Sequence, residues 1–183
     1  MILIIPGPMC SGKSEHGQKQ YMNDPYNSIV LKPWTADRDG PFLVSRATDI
    51  KIAARMVDPS TILGAIAYAK AHGYKNIIID EAHDFPGPRY LSPYKNLNIF
   101  IYGLNRWADG TRTWLSRGIS PFEYQKRPLF AVCDKCGSKK AEYTAHISGT
   151  NRITAIYKPL CSKCMFTHLT NKQTEIDLKP IKT

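Results

Sequence analysis

The feature that most constrains this chain lies in its first fourteen residues. Met1 to Ile5 (MILII) is an apolar run that reads as a buried strand, and GPMCSGKS, residues 7–14, follows it. The octapeptide matches the phosphate-loop pattern G-x-x-x-x-G-K-[ST] in the context that gives the pattern meaning, after a strand and before a helix. Glycines let backbone N–H groups turn inward and cradle phosphate oxygens at a helix N-terminus. The candidate phosphate-binding residues are therefore Gly7, Pro8, Met9, Cys10, Ser11, Gly12, Lys13 and Ser14. Lys13 would neutralise the β/γ oxygens of ATP, and Ser14 would offer its hydroxyl to Mg²⁺. Cys10 reads as a space-filling residue of the loop.

The following residues fit an α/β sheet. A helix is expected from Lys13 to about Met22, and a second strand from Ser28 to Leu31, closed by Lys32-Pro33. Residues 33–48 read as a long loop holding a short strand. Asp58-Pro59-Ser60 opens a helix whose Ile62, Ala65, Ile66 and Ala69 share one face, and Gly73 ends it. Asn76 to Asp80 and Asn98 to Leu104 are strands apolar enough to be covered on both sides. Strands alternating with helices predict a doubly wound, mostly parallel sheet.

The third of these strands ends in IIIDEAHDF, residues 77–85. Its DEAH is the letter code of a class of nucleic-acid helicases. Such a motor needs two tandem ATPase domains, and this chain has room for one. The carboxylates have a simpler use. Asp80 is placed to act with Mg²⁺, and Glu81 follows it at the carboxyl end of the strand, where ligands bind in open α/β sheets. A carboxylate there can accept a proton from water or from a substrate hydroxyl. His83 fits either a ligand contact or a structural role.

Near Pro128 the character changes. Strand-like stretches (LFAVC, AEYTAHI, RITAIY) alternate with Cys133-x-x-Cys136 and Cys161-x-x-Cys164. Two such pairs in a chain with no secretion signal argue for metal over disulfides. Four thiolates build a closed tetrahedral zinc site, which is structural, and the stretch between the pairs reads as a hairpin. The expected organisation is a phosphate-loop domain over 1–128, a zinc-ribbon-like domain over 129–170, and a polar, frayed tail over 171–183.

Net charge is +10, which points to an anionic partner, but no basic run exceeds two residues. Nucleic acid is thus possible and not favoured. The apolar runs are too short to span a bilayer, and no signal peptide is recognisable, so a cytoplasmic protein is expected.

The combination resembles the type II thymidine kinase family, in which a P-loop domain is followed by a zinc-clipped lasso over the nucleoside. GPMCSGKS is similar to the family's GPMFSGKS, and IIIDEAHDF sits where the family has a strand ending in DEAQFF. LKPWTADRD, VSR at 44–46, FAVCDKCG with AEYTAH, and IYKPLCSKC also have family counterparts in the same order. The resemblance covers roughly residues 2–168. It implies ATP-dependent phosphorylation of a nucleoside 5′-hydroxyl, with Glu81 as the base. Lys13, Ser14 and Asp80 would handle ATP and Mg²⁺, and Arg38 would steady the transferring phosphoryl group. Met9, Phe85, Leu104, Thr144 and Tyr157 would line the acceptor pocket, with zinc on Cys133, Cys136, Cys161 and Cys164. Family members are commonly tetramers, so a homo-oligomer is implied.

The departures cluster on the acceptor side. His83 stands for the family's Gln, Asp84 for an aromatic, and Asn105 for an Asp; Trp107 and Ala108 fall where the family has Asp-Phe. Ala36 replaces another aspartate, and His146 replaces the lasso arginine. A carboxylate at 84 would be costly against an unmodified thymine methyl and would suit a more polar base. Two other readings therefore stand beside the nucleoside kinase: a kinase for a modified base or a polynucleotide, and a non-catalytic nucleotide- or nucleic-acid-binding protein on the same fold.

Overall fold

A computed structural model describes residues 1–36, 39–87, 94, 96–117, 124–150 and 154–177, with backbone alone for 173–177. In chain order its elements are β1 (Ile2–Pro6), α1 (Lys13–Asn23), β2 (Ser28–Pro33), β3 (Phe42–Val44), β4 (Lys51–Ala53), β5 (Arg55–Val57), α2 (Ile62–Ala71), β6 (Asn76–Ile79), β7 (Asn98–Gly103), α3 (Trp114–Arg117), β8 (Gln125–Lys126), β9 (Tyr143–Ser148), β10 (Ile156–Leu160) and α4 (Ser162–Asp177). Six strands form the central sheet in the order β5-β2-β6-β7-β1-β8, and each of its described pairings is parallel. This is the expected α/β sheet.

Successive residues of a strand point to opposite faces, and here both faces are apolar. Ile4, Leu31, Ile77, Ile79, Ile99 and Ile101 face a core completed by Ile62, Ala65, Ile66 and Ala69 of α2 and by Leu115 of α3. Ile5, Val30, Ile78, Phe100 and Tyr102 face the other core, with Leu43 and Ile52 of the β3–β4 hairpin. Helix α1 reaches that second face through Tyr21 and through Gly17, where an added Cβ would stand 3.3 Å from Leu43. Gln18 of α1 is buried and holds the hairpin: its amide donates to the carbonyls of Ile50 (2.7 Å) and Leu43 (3.3 Å) and accepts from Thr48.

Residues 131–165 have a core of their own: Ala131, Cys133, Ala141, Ala145, Leu160, Cys161, Cys164 and Met165. The hairpin expected between the cysteine pairs is β9–β10, antiparallel, with a register irregularity between Ile156 and Tyr157.

Two expectations are corrected here. LFAVC forms no strand; it contributes only the bridge of Ala131 with Ala141. Its ends are tied elsewhere: Leu129 N–H donates to Pro6 O, and in the knuckle turn Cys133 N–H donates to Ser138 O while Gly137 N–H donates to Cys133 O. The stretch after Asn171 is no frayed tail as far as Asp177, because α4 runs through it. Sequence reading missed β4, β5, β8 and α3, all of four residues or fewer. Pieces so short carry almost no periodicity.

Gly103 ends β7 where strand, helix and site meet. A Cβ there would lie 2.5 Å from Leu115 Cδ1 and 3.0 Å from the backbone nitrogen of His83. Gly103→Ala should destabilise the protein by about 1–3 kcal/mol, as read from the urea midpoint, and an unchanged midpoint would refute the tight packing at this crossing.

Candidate active site

The phosphate loop is built by β1 handing the chain to α1. Gly7 N–H donates to Gly103 O (3.1 Å), which sets the loop against β7. No side chain fits at Gly7: a Cβ would meet Ser11 Oγ at 2.5 Å and Leu129 O at 2.8 Å. Cys10 (φ 61°) and Gly12 (φ 82°) take left-handed backbone, which curls the loop before the helix starts. Lys13 Nζ turns back into the cup and donates to Gly7 O (3.0 Å) and Pro8 O (2.6 Å). Burial holds its amine below the usual lysine range, opposed by the charges of Glu81 and Asp80. Among the described residues the buried Ser11 Oγ has no hydrogen-bond partner. Such a hydroxyl in a glycine-bounded cup, beside a lysine that donates to loop carbonyls, fits a phosphate ligand.

The carboxylates come from the adjoining strand end. Asp80 follows β6, its N–H donating to Leu31 O of β2 (2.9 Å). It is 6% exposed, and its carboxyl is pushed up to about 7, by burial first and then by Glu81, against the pull of Lys32 and Lys13. Glu81 has φ 49°, a left-handed conformation uncommon for a residue with a side chain. Desolvation holds the Glu81 carboxyl above the usual carboxylate range, a pull limited by the 41% exposure of its side chain on the cavity wall and opposed by Lys13 and Lys32. His83 Nδ1 lies 3.4 Å from Glu81 Oε2 and accepts the N–H of Leu104 at 3.2 Å, and its ring meets Trp107 edge-on.

Loop and carboxylates open into one cavity of about 650 Å³, a volume typical of small-molecule sites. Residues from Met9 to Glu15, Asp80 and Glu81 line it, and so do Leu104, Trp107, Thr144 and Tyr157. The two parts are joined where Met9 N–H donates to Thr144 Oγ1 at 3.0 Å. Gly7 and Pro8 lie behind this wall and serve through their carbonyls.

Phe85 is a correction. It was expected at the acceptor, but it is 2% exposed in the core with Ile62 and Leu115, its carbonyl taken by the Trp114 indole. The short 3-10 turn at Ala82–Asp84 aims the next residue inward, leaving Asp84 on the cavity wall with its Oδ2 bonded to Thr35. Arg38 lies outside the described residues. Sequence reasoning gave no site role to Lys32, which is 2% exposed on that wall and donates to Phe42 O and Gly40 O. The charge inside an otherwise apolar strand (SIVLKP) was the available signal. Arg46, with Nη1 4.0 Å from Cys10 Sγ, brings a further cation to the loop.

The four cysteine sulfurs lie within 4.8 Å of one another, and Cys136 and Cys161 are 3.7 Å apart. Thiolates around a tetrahedral zinc at about 2.3 Å would stand about 3.8 Å apart, so the cluster fits that ion. Burial works against the Cys133 thiolate, but backbone N–H groups of Cys161, Cys136 and Lys135 outweigh it and bring the thiol down to about 6. Burial and the neighbouring sulfurs push Cys164 up to about 12. Thiolates this close repel one another, and a cation among them would offset that repulsion.

Fold and site together define a P-loop-like α/β protein whose C-terminal hairpin meets the phosphate loop and adjoins four clustered cysteines that could hold a metal ion. The family model described as thymidine kinase matches residues 1–165, and the chain belongs to that family. Membership supports a nucleoside kinase role in general terms. No curated protein matches the chain. No helix among the described residues is long and apolar enough to cross a membrane.

The raised Asp80 carboxyl has a consequence for stability. A folded-state value near 7, against an ordinary 3.8, means that ionising Asp80 opposes folding. The penalty is absent below about pH 4 and complete above about pH 7. Asp80→Asn should raise the melting temperature of the ligand-free protein at pH 8 and raise it less at pH 5. An equal change at both pH values would remove Asp80 as the cause.

Proposed function

We propose that this protein transfers the γ-phosphoryl group of ATP to the 5′-hydroxyl of a deoxynucleoside, thymidine or a related pyrimidine. The observation that carries this reading is the shared cavity, lined both by the phosphate loop with Glu81 and by Thr144 and Tyr157 of the β9–β10 hairpin. The loop N–H groups and Lys13 hold the phosphates, and Arg38 is assigned the task of steadying the moving group. Glu81 takes the proton of the attacking hydroxyl, and its raised carboxyl pKa makes it a better base for that purpose. Ser14 and Asp80 are the residues that would hold Mg²⁺, which neutralises phosphate charge. Most of the rate gain then comes from alignment and electrostatics. Zinc on the four cysteines fixes the ends of the lasso. A cytoplasmic homo-oligomer, a tetramer by family resemblance, completes this reading.

A second reading concerns the acceptor. Asp84, His83 and Trp107 line the cavity where the family resemblance implies an apolar pocket. A carboxylate on this wall favours a base that brings its own hydrogen-bond donor, such as a hydroxylated or amino-bearing pyrimidine.

The test is phosphoryl transfer from Mg²⁺-ATP to a panel of deoxynucleosides, modified uridines and a short oligonucleotide. Label should appear on a pyrimidine nucleoside and fall at least 100-fold in Glu81→Gln. Label on the oligonucleotide alone would replace the nucleoside with a polynucleotide acceptor. Label on nothing, in zinc-loaded protein that binds ATP, would leave only the non-catalytic role.

A further inference from the structure

Helix α4 continues to Asp177, well past residue 165 where the family match ends. Its first turn is anchored by burial: Cys164 and Met165 belong to the core of the zinc-binding segment. Beyond Met165 the described apolar side chains face out, Phe166 at 74% exposure and Leu169 at 40%. A helix of this length is marginal without tertiary contacts. Its second half is held by polar bonds instead. His168 and Lys172, four residues apart and so on one face, converge on a single acceptor, the backbone carbonyl of His146: Nε2 at 3.2 Å and Nζ at 2.8 Å. A carbonyl only accepts, so His168 Nε2 carries its proton.

That carbonyl sits at a sensitive place. His146 is on β9, two residues after Thr144, and pairs with Tyr157 on β10. Thr144 and Tyr157 both line the cavity. The register irregularity falls beside Tyr157, between it and Ile156, so the hairpin's own ladder is interrupted there. The His146 ring packs edge-on against Tyr157 (centroids 5.3 Å, 62°), and its Nε2–H donates to Gly149 O at 2.8 Å, closing the turn side. A two-stranded hairpin is marginal alone and needs a third element to lie against. Here α4 supplies such an element twice, through Cys164 and Met165 in the shared core and, further along, through its polar face.

We propose that α4 is a strut for the acceptor wall: His168 and Lys172, by clamping the His146 carbonyl, are positioning residues that hold β9–β10 over the cavity and set its affinity for the nucleoside. The affinity part rests on the kinase reading above. The clamp itself does not. Neither residue is among those lining the cavity; each acts through His146 on Tyr157 and Thr144.

The test uses the full zinc-loaded chain carrying His168→Ala and Lys172→Ala together, with Lys172→Arg as the variant that keeps a donor. Amide hydrogen exchange across 143–148 and 156–160 should quicken about tenfold in the double variant. The KM for the nucleoside should rise about tenfold, with the KM for ATP and kcat within about twofold, and zinc content unchanged. Lys172→Arg should behave as wild type. Unchanged exchange would overturn the clamp. So would zinc loss with an equal rise in both KM values, which would mark general unfolding. If the wild type phosphorylates no nucleoside, the kinase reading fails, and the exchange experiment still decides the clamp.

Discussion

Four charged groups packed at the carboxyl ends of β2 and β6 set the terms for the rest of this molecule. Asp80 and Glu81 stand side by side: burial and the charge of Glu81 favour protonation of Asp80, and desolvation with the charges of Asp84 and Asp39 favours protonation of Glu81. Lys13 from the loop and Lys32 from β2 supply the compensating charge. Lys32 sits one residue beyond Leu31, whose carbonyl holds the Asp80 N–H. Strand register alone therefore brings the ammonium beside the carboxylates. The compensation is incomplete, since the Asp80 carboxyl still lies near 7. Such residual strain is the usual mark of a site built for a ligand that brings its own charge.

The second constraint joins the two ends of the chain. Met9 and Thr144 are 135 residues apart and share a hydrogen bond, so the phosphate-loop motif and the β9–β10 hairpin form one wall of the cavity. The cysteine cluster flanks that hairpin, and His168 and Lys172 of α4 bond the carbonyl of His146 on the same strand as Thr144. A kinase needs both substrates held against each other with water excluded. A hairpin seated on the phosphate loop is a direct way to meet that need.

Much of this was legible in the sequence because it rests on local rules. The phosphate loop, the strand ending in Asp80-Glu81 and the paired cysteines carry fixed spacings, and apolar runs mark the central strands. What could not be read depends on turns. One 3-10 turn at Ala82–Asp84 decides that Phe85 is core and Asp84 is wall; a family pattern alone placed Phe85 at the substrate. The burial of Lys32 and the helical course beyond Asn171 were hidden for the same reason: both are decided by tertiary partners, the carbonyls of Gly40 and Phe42 in one case and of His146 in the other.

The account gives the two adjacent carboxylates different work, Asp80 with the metal and phosphates, Glu81 with the acceptor's proton. Calorimetric titration of Mg²⁺-ATP into wild type, Asp80→Asn and Glu81→Gln tests that division most directly. The account predicts that Glu81→Gln binds Mg²⁺-ATP within about threefold of wild type and that Asp80→Asn binds at least tenfold more weakly. Equal losses in both variants, or an Asp80→Asn protein that binds as wild type does, would contradict it.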